Sequence, residues 1–286
     1  MEAFGEYLLD ALVDSAKMLP FLFAVYLLIE FLEHRLGNRF PRLLGRTTKI
    51  GPLAGGLVGV VPQCGLAAAS ASLYSGRVIT LGTLMAVFLS SSDEMLPIMI
   101  SSAVPVLRIL KILGAKILIA VISGYAVDLV LRSFGRIDEE AKKEAEASFA
   151  SFDHHGNMFV CALRRTAEIF IYIFVFSLIL NVIIGSVGEE RIAGFLSGVP
   201  VVGELAAGLV GLIPNCASSV IITELYIDGI IGPGPLFSGL LVNAGVGTLV
   251  LLRSGRDKGR SLGVVGLLYV LGVLWGILIG LTGLSF

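Results

Sequence analysis

Two stretches of this sequence are copies of each other: GPLAGGLVGVVPQC at residues 51–64 and GELAAGLVGLIPNC at residues 203–216. Aligned without a gap, 9 of their 14 positions are identical, and most of the others exchange similar residues. The same register continues to the Leu-Tyr pairs at 73–74 and 225–226. A repeat of this period indicates that the chain is built from two related halves.

The composition is that of a polytopic helical membrane protein. Of the 286 residues, 56% are hydrophobic and 15% are charged, and the mean hydropathy is +0.91. The 35 glycines fit this class because small residues let membrane helices approach each other closely. The net charge of −1 argues against nucleic-acid binding, and three cysteines do not form a disulfide framework.

We predict an all-α fold of about ten transmembrane segments in two inverted repeats of five segments, each repeat containing short helices broken at a proline. The expected segments of the first half are 18–33, 50–61, 64–75, 78–106 with an interruption at 90–94, and 112–131. Those of the second half are 166–184, 201–213, 216–227, 236–252 and 262–283. Segments of about 12 residues are too short for a straight crossing, which takes about 20 residues.

The distribution of charge predicts that the two repeats are inverted. The loop after the first span, 35–49, is basic, whereas the loop after its counterpart carries two acids and one arginine. Five crossings per half would place this basic loop, the central linker and the basic loop 253–260 in the cytoplasm, with both termini outside. We therefore divide the chain into a first inverted repeat (1–132), a cytoplasmic polar linker (133–160) and a second inverted repeat (161–286).

The repeated Pro-polar-Cys motif predicts a binding site at the middle of the membrane. A proline within a helix removes a backbone donor and frees carbonyl groups, which must then be satisfied by protein or by a polar cavity. Paired, broken short segments in the two halves of a transporter point to its binding site. The candidates here are Pro62, Gln63, Cys64, Pro214, Asn215 and Cys216. The alternative is that proline and cysteine serve only helix packing.

Further polar residues follow each break. Hydroxyl groups and one carboxylate lie on the segments after the cysteines: Ser70, Ser72, Ser218, Ser219, Thr223 and Glu224. The sequence SSSDE at 90–94 interrupts the next apolar run, and its carboxylates Asp93 and Glu94 are costly, and therefore functional by default, if they lie at membrane depth. The alternative places both at a helix end in the headgroup region.

These side chains form a plausible cation site without deciding which metal it binds. The candidate ligands are Gln63, Cys64, Asp93, Glu94, Asn215 and Cys216. Thiolates favour soft ions, whereas carboxylates and carbonyls favour manganese and other hard ions. Two thiols from two halves also suit trivalent arsenic.

The sequence resembles the ten-span heavy-metal exporter family, whose members are labelled as arsenic efflux or manganese transport proteins. The resemblance rests on the duplicated GLVGxxP[QN]C, on SSSDEMLP at 90–97 and on NAGVG at 243–247. It implies a multi-pass permease in the plasma membrane of a prokaryote. Carried over by motif, the candidate positions are Pro62, Gln63, Cys64, Ser92, Asp93, Glu94, Pro214, Asn215, Cys216 and Asn243.

We therefore predict a secondary, gradient-driven exporter of a metal or metalloid ion such as manganese or arsenite. No P-loop motif is present, so the energy would come from an ion gradient or a partner. Transport of a small organic solute and a passive channel remain alternatives. An enzyme is not expected, because the three histidines all lie in polar segments, which leaves no Ser-His or Cys-His pair within the membrane.

The expected partners are the lipid bilayer, the transported ion and protons or another coupling ion, and a homodimer is an open alternative. No cofactor is expected.

Overall fold

The computed structural model is all-helical over the residues that it describes. These are 50–61, 64–76, 78–92, 95–133, 201–214, 216–254 and 258–282, together with single helical positions at Leu12, Phe23, Leu27, Leu163, Ala167, Phe170, Ile171, Phe174, Val175 and Leu178. The side chains of Cys64, Arg132, Cys216 and Ala217 are not among the described atoms. The predicted linker at 133–160 lies outside this set apart from its first residue.

The described part contains five helices from each half. Those of the first half are α1 (Gly51–Val58), α2 (Cys64–Ser75), α3 (Leu81–Ser90), α4 (Met95–Ser101) and α5 (Val106–Ser133). Those of the second half are α6 (Val202–Gly211), α7 (Cys216–Ile227), α8 (Pro233–Val242), α9 (Val246–Ser254) and α10 (Lys258–Thr282). Both predicted Pro-polar-Cys breaks are confirmed, because a helix ends before each motif and another begins at its cysteine.

Three stretches of the described chain are long and apolar enough to cross a membrane: Leu81–Ser101, Pro233–Ser254 and Lys258–Thr282. The first two are each divided into two helices, α3 and α4 in one and α8 and α9 in the other. The predicted interruption at 90–94 is thus confirmed. The predicted span over 236–252 lies within Pro233–Ser254, and inside it the chain leaves the helix at Asn243 and re-enters it at Val246.

In the first half, α1 and α2 form a hairpin. Gly51 lies against Thr83 and Gly59 lies against Ser90, so α1 runs parallel to α3. The chain must therefore return between Gly59 and Thr80 to the level at which α1 began. The 12 residues of α2 cover about 18 Å at 1.5 Å per residue, which is the length that this return requires.

The second half repeats this packing residue by residue. A methyl group added to Gly56 would meet Val121 Cγ2 at 2.7 Å, and one added to Gly208 would meet Val273 Cγ2 at the same distance. Each second-half residue here lies 152 positions after its first-half counterpart. Helices α6 and α7 thus form the second hairpin, against α8 and α10.

The two halves also pack against each other in a reciprocal way. Helix α2 of the first half lies on α9 of the second, and α7 of the second half lies on α4 of the first. Helices α3 and α8, which hold equivalent positions, contact each other directly. Each hairpin is therefore covered by a helix of the opposite half.

The predicted count of five crossings per half is not confirmed by the described residues. Helix α1 has 8 residues and α2 has 12, and the two form a hairpin that returns to the level at which α1 begins. The same holds for α6 and α7, which have 10 and 12 residues. In each half, two of the five predicted segments are arms of a hairpin.

Candidate functional site

The breaks in the two long apolar stretches are joined by a lysine. Lys116 on α5 is fully buried, and its Nζ donates to the carbonyl oxygen of Ser91, the C-cap residue that follows α3. The same Nζ lies 3.4 Å from the carbonyl oxygen of Leu240, in the last turn of α8. A single ammonium group therefore contacts the carboxyl-terminal ends of one broken helix from each half.

The break between α8 and α9 is held by an asparagine. Asn243 is 4% exposed, and its Oδ1 accepts a hydrogen bond of 2.9 Å from the backbone N–H of Gly245. Its Nδ2 donates to Ser218 Oγ at 3.3 Å, on the first turn of α7. Ser218 Oγ in turn donates to the carbonyl oxygen of Ile213, between α6 and α7. This chain of hydrogen bonds connects the break in the second hairpin to the break in the neighbouring long stretch.

The start of the first hairpin's return helix lies in the same region. Gly247, near the start of α9, packs against Ala67 of α2 and Phe88 of α3. The amino-terminal ends of α2, α7 and α9 and the carboxyl-terminal ends of α3 and α8 thus meet around one centre. We call Ser91, Lys116, Ser218, Leu240 and Asn243 the crossing cluster. Helix ends of both polarities can bind charged groups, because amino-terminal ends attract anions and carboxyl-terminal ends attract cations.

Two buried carboxylates lie near the ends of α3 and α8 that are far from the crossing cluster. Asp128 of α5 is 8% exposed and accepts hydrogen bonds from the backbone N–H of Gly82 at 2.8 Å and from Thr80 Oγ1 at 2.9 Å. It therefore satisfies free donors at the amino-terminal end of α3, where a negative charge is favourable.

In the second half the carboxylate comes from a different helix. The counterpart of Asp128 is Gly280, and a methyl group on Gly280 would meet Glu204 Oε1 at 2.8 Å. Glu204 lies on α6, is 7% exposed and accepts from the backbone N–H of Val201 at 2.8 Å. Its own counterpart in the first half is Pro52. The carboxylate is kept in the same place although the helix that supplies it has changed.

Four of the predicted site residues lie at or near the breaks. Ser92 and Asn243 are buried, and Ser92 Oγ donates to the carbonyl oxygen of Ser90 at 3.1 Å. Ser219 is 3% exposed, next to Ser218 on the first turn of α7. Pro214 lies in the break between α6 and α7.

Glu224, in contrast, is exposed on the last turn of α7, two helical turns beyond Cys216. The structure does not bring it to the crossing cluster.

The predicted metal ligands lie outside what the structure describes. Gln63, Asp93, Glu94 and Asn215 are not among the described residues, and Cys64 and Cys216 are described only as the first residues of α2 and α7. The predicted site residue Pro62, which is not one of the ligands, also lies outside the described residues. Among the described side chains there is no group of three or more His, Cys, Asp or Glu residues that could hold a metal ion. The assignment of these six ligands stays a prediction.

Sequence reasoning missed Lys116, Asp128 and Glu204. Lys116 and Asp128 lie within a segment that we treated as an ordinary span, and Glu204 lies in the repeated stretch itself. The signal was present, because an ionisable residue within a membrane segment points to a function by default. The same rule that selected Asp93 and Glu94 would have selected Lys116.

Comparison with known proteins gives a family match over about two thirds of the chain. A family model described as "Putative, 10TM heavy-metal exporter" matches residues 2–196, which is 195 of the 286 residues. The chain belongs to this exporter family. No curated protein and no solved structure matches the chain.

Membership in the exporter family makes this a membrane protein of a transport family, and not of an enzyme class. The matched range covers the first half, the linker and the beginning of the second half. The crossing cluster is therefore partly inside this range (Ser91 and Lys116) and partly beyond it (Ser218, Leu240 and Asn243).

Proposed function

We propose that this protein is a secondary transporter that exports a metal or metalloid ion across the plasma membrane of a prokaryote. The observation that carries the proposal is the meeting of two broken helices, one from each half, at the crossing cluster. Discontinuous helices that meet between two repeats form the ion sites of many secondary transporters, where freed carbonyls and helix ends bind the ion. The exporter family supports an ion of a heavy metal as the substrate.

We propose further that the halves are inverted repeats. The first hairpin begins beside the carboxyl-terminal part of α5, where Pro52 lies against Gly124. The return helix α7 of the second hairpin packs on α4, which leads into the other end of α5. The two hairpins thus approach from opposite ends of the same long helix. Each would reach about half of the hydrocarbon thickness of about 30 Å.

This arrangement keeps the predicted sidedness while reducing the number of crossings. Three elements of each half would cross the membrane: the first span, the broken stretch (α3–α4 or α8–α9) and the last helix. The hairpin would enter and leave on the same side. Three is an odd number, as five is, so each half would begin and end on opposite sides of the membrane. The second half would therefore remain inverted. The basic loop 35–49, the linker and residues 253–260 stay cytoplasmic, in agreement with the preference of basic loops for that side.

The transported ion would bind where the crossing cluster and the predicted ligands come together. Cys64 and Cys216 begin the return helices of the hairpins, and Asp93 and Glu94 follow Ser91 closely in sequence. We propose that these four side chains provide ligands, and that a carboxylate couples transport to protons. The rocking of one half against the other would then expose the site to each side in turn.

The test is ion flux in proteoliposomes that contain the purified protein and carry an imposed pH gradient. Manganese, zinc, cobalt, cadmium and arsenite are offered one at a time, and accumulation of one of them against its own gradient is expected. The variants Cys64→Ser, Cys216→Ser and Asp93→Asn should lower this flux, whereas Lys111→Met, at an exposed position of α5, should not. Flux that only runs downhill would instead identify a passive channel. Normal flux in all three site variants would show that the ligand assignment is wrong.

A growth screen gives the direction of transport. Cells of a metal-sensitive host that express the protein should resist the ion that the protein exports and no other. Sensitisation in place of resistance would mean that the protein imports the ion.

A further inference from the structure

The burial of Lys116 requires an explanation beyond helix packing. The side chain is completely enclosed near the middle of the 28-residue helix α5. Removing an ammonium group from water costs several kcal/mol unless partners replace the water, and lysines at membrane depth are rare. The equivalent residue in the second half is Leu268, which is equally buried. An aliphatic side chain therefore fits this position, so packing alone does not call for a charge.

The two oxygens that Lys116 contacts are of the kind that bind cations. Carbonyl groups in the last turn of a helix lack an intrahelical partner and carry the negative end of the helix dipole. Ser91 is the C-cap residue that follows α3, and Leu240 lies in the last turn of α8. The ammonium group thus stands between the negative ends of two equivalent helices.

Helices α3 and α4, and α1 and α8, contain no ionisable residue in their described ranges. Tyr269 of α10 donates to the carbonyl oxygen of Leu205, away from the cluster, and Arg108, Lys111, Tyr125 and Asp128 lie elsewhere along α5. The acidic residues nearest to Ser91 in sequence are Asp93 and Glu94, which the structure does not describe.

We propose that the Lys116 ammonium is a tethered cation that occupies the transported ion's position between the two broken helices when no ion is bound. It stabilises the empty site by satisfying the carbonyls of Ser91 and Leu240, and it withdraws on its flexible four-carbon stem when the ion arrives. The protein would thereby avoid leaving two helix ends uncompensated during the return step of each cycle. This proposal rests on the proposed function, because it names an internal competitor of the transported cation.

The first experiment measures competition between the Lys116 ammonium group and manganese for the same site. Full-length protein in nanodiscs is titrated with manganese chloride, and wild type is compared with Lys116→Met, which keeps an unbranched side chain one atom shorter and removes its charge. If the tethered group occupies the site about nine-tenths of the time, its removal raises the apparent manganese affinity about tenfold. Lys111→Met is the matched control, and its affinity should equal that of wild type. An unchanged or weakened affinity in Lys116→Met would overturn the proposal.

The second experiment does not depend on the transported ion. Lys116→Ala leaves space beside the two carbonyls, so methylammonium chloride should raise the thermal unfolding temperature of this variant in a saturable manner. It should not do so in wild type or in Lys116→Met, where the side chain fills the space. Tetramethylammonium chloride, which is bulkier and donates no hydrogen bond, controls for ionic strength. Equal responses of Lys116→Ala to both salts would refute the cation site.

The two experiments separate the two proposals. Saturable rescue by methylammonium without binding of any metal or metalloid ion would support the cation site and reject metal export. Metal transport by wild type together with no rescue and no change in affinity would support export and reject the tethered cation.

Discussion

Trp275 Nε1 donates a hydrogen bond of 2.9 Å to Ser123 Oγ, and these two residues are equivalent positions of the two halves, 152 residues apart. When equivalent positions of two related units touch each other, a twofold axis that relates the units passes close to the contact. In the proposed inverted arrangement, the axis would therefore pass between α5 and α10 at this point. Ser123 is two turns along α5 from Lys116, which also bonds to the second half.

Breaking the bond between Ser123 and Trp275 should weaken the association of the halves by a modest amount. Hydrogen bonds between membrane helices contribute about 0.6 kcal/mol on average and up to about 1.7 kcal/mol. We expect Ser123→Ala and Trp275→Phe each to lower the thermal unfolding temperature, and the double variant to be no worse than the more damaging single one. The three variants form a double-mutant cycle, and strictly additive effects would show that the bond contributes nothing.

Asp128 and Glu204 place a carboxylate at the same position of the two halves from different helices, so the arrangement of one half can be introduced into the other. Asp128→Gly removes the acceptor of two hydrogen bonds at the start of α3, and bonds to charged groups contribute about 1.5–3 kcal/mol. Adding Pro52→Glu gives the first half the arrangement that the second half already has, with a glutamate on the first helix and a glycine on the last. We expect the double variant to recover a large part of the lost free energy of unfolding.

The single variant Pro52→Glu is the control for this transplantation. In the presence of Asp128 it places two carboxylates in one buried place, so it should destabilise the protein. A double variant as unstable as the sum of both single ones would contradict the equivalence of the two arrangements.

Close contact between α3 and α5 depends on glycine at position 124. A methyl group there would lie 2.6 Å from the carbonyl oxygen of Gly82 and 2.9 Å from Pro52 Cβ, which forces the helices apart. We expect Gly124→Ala to destabilise the protein by about 1–3 kcal/mol, as overpacking commonly does.

Gly114 provides the matched control on the same helix. Nothing lies within 4 Å of a methyl group at Gly114, and alanine is the better helix former by about 1 kcal/mol. Gly114→Ala should therefore be neutral or stabilising in the same thermal unfolding assay. Equal destabilisation by both variants would mean that the effect does not come from the packing of α3 on α5.

The proposed inversion predicts which side of the membrane each hairpin reaches. Ile50 precedes α1 and Asp228 follows α7, and both are exposed. In a cysteine-free background, Ile50→Cys should react with a membrane-impermeant maleimide only after the cells are opened, whereas Asp228→Cys should react in intact cells. Labelling of both from the same side would rule out inverted hairpins.

The sequence predicted the helix ends well where the chain itself supplies the signal. Pro62 and Pro214 with their glycine-rich approaches located the hairpin breaks, and the run of three serines located the break after Ser90. The sequence NAGVG at 243–247 marks the corresponding position of the second half, but a single asparagine in an apolar run does not show where a helix ends. Only the hydrogen bonds of Asn243 to Ser218 and Gly245 show why the helix stops there.

The direction of the short helices could not be read from the sequence. An apolar segment of 8 or 12 residues has the same composition whether it crosses, turns back or continues a span. The contacts of Gly51 with Thr83 and of Gly59 with Ser90 decide the matter, and they are contacts between residues about 30 positions apart. The same limit applies to Lys116, whose partner Leu240 lies 124 positions away.

The pairing of Lys116 with Leu268 bears on how such a chain can arise from a duplicated ancestor. Two identical units related by a twofold axis would each contribute a buried lysine to the region between them, and two ammonium groups shielded from water there would repel each other strongly. Once both units are joined in one polypeptide, their sequences can diverge, and a single positive charge can be kept in one copy and replaced by leucine in the other. Gene fusion thus gives the protein something that a symmetric dimer cannot have: a single charge at one of two equivalent positions.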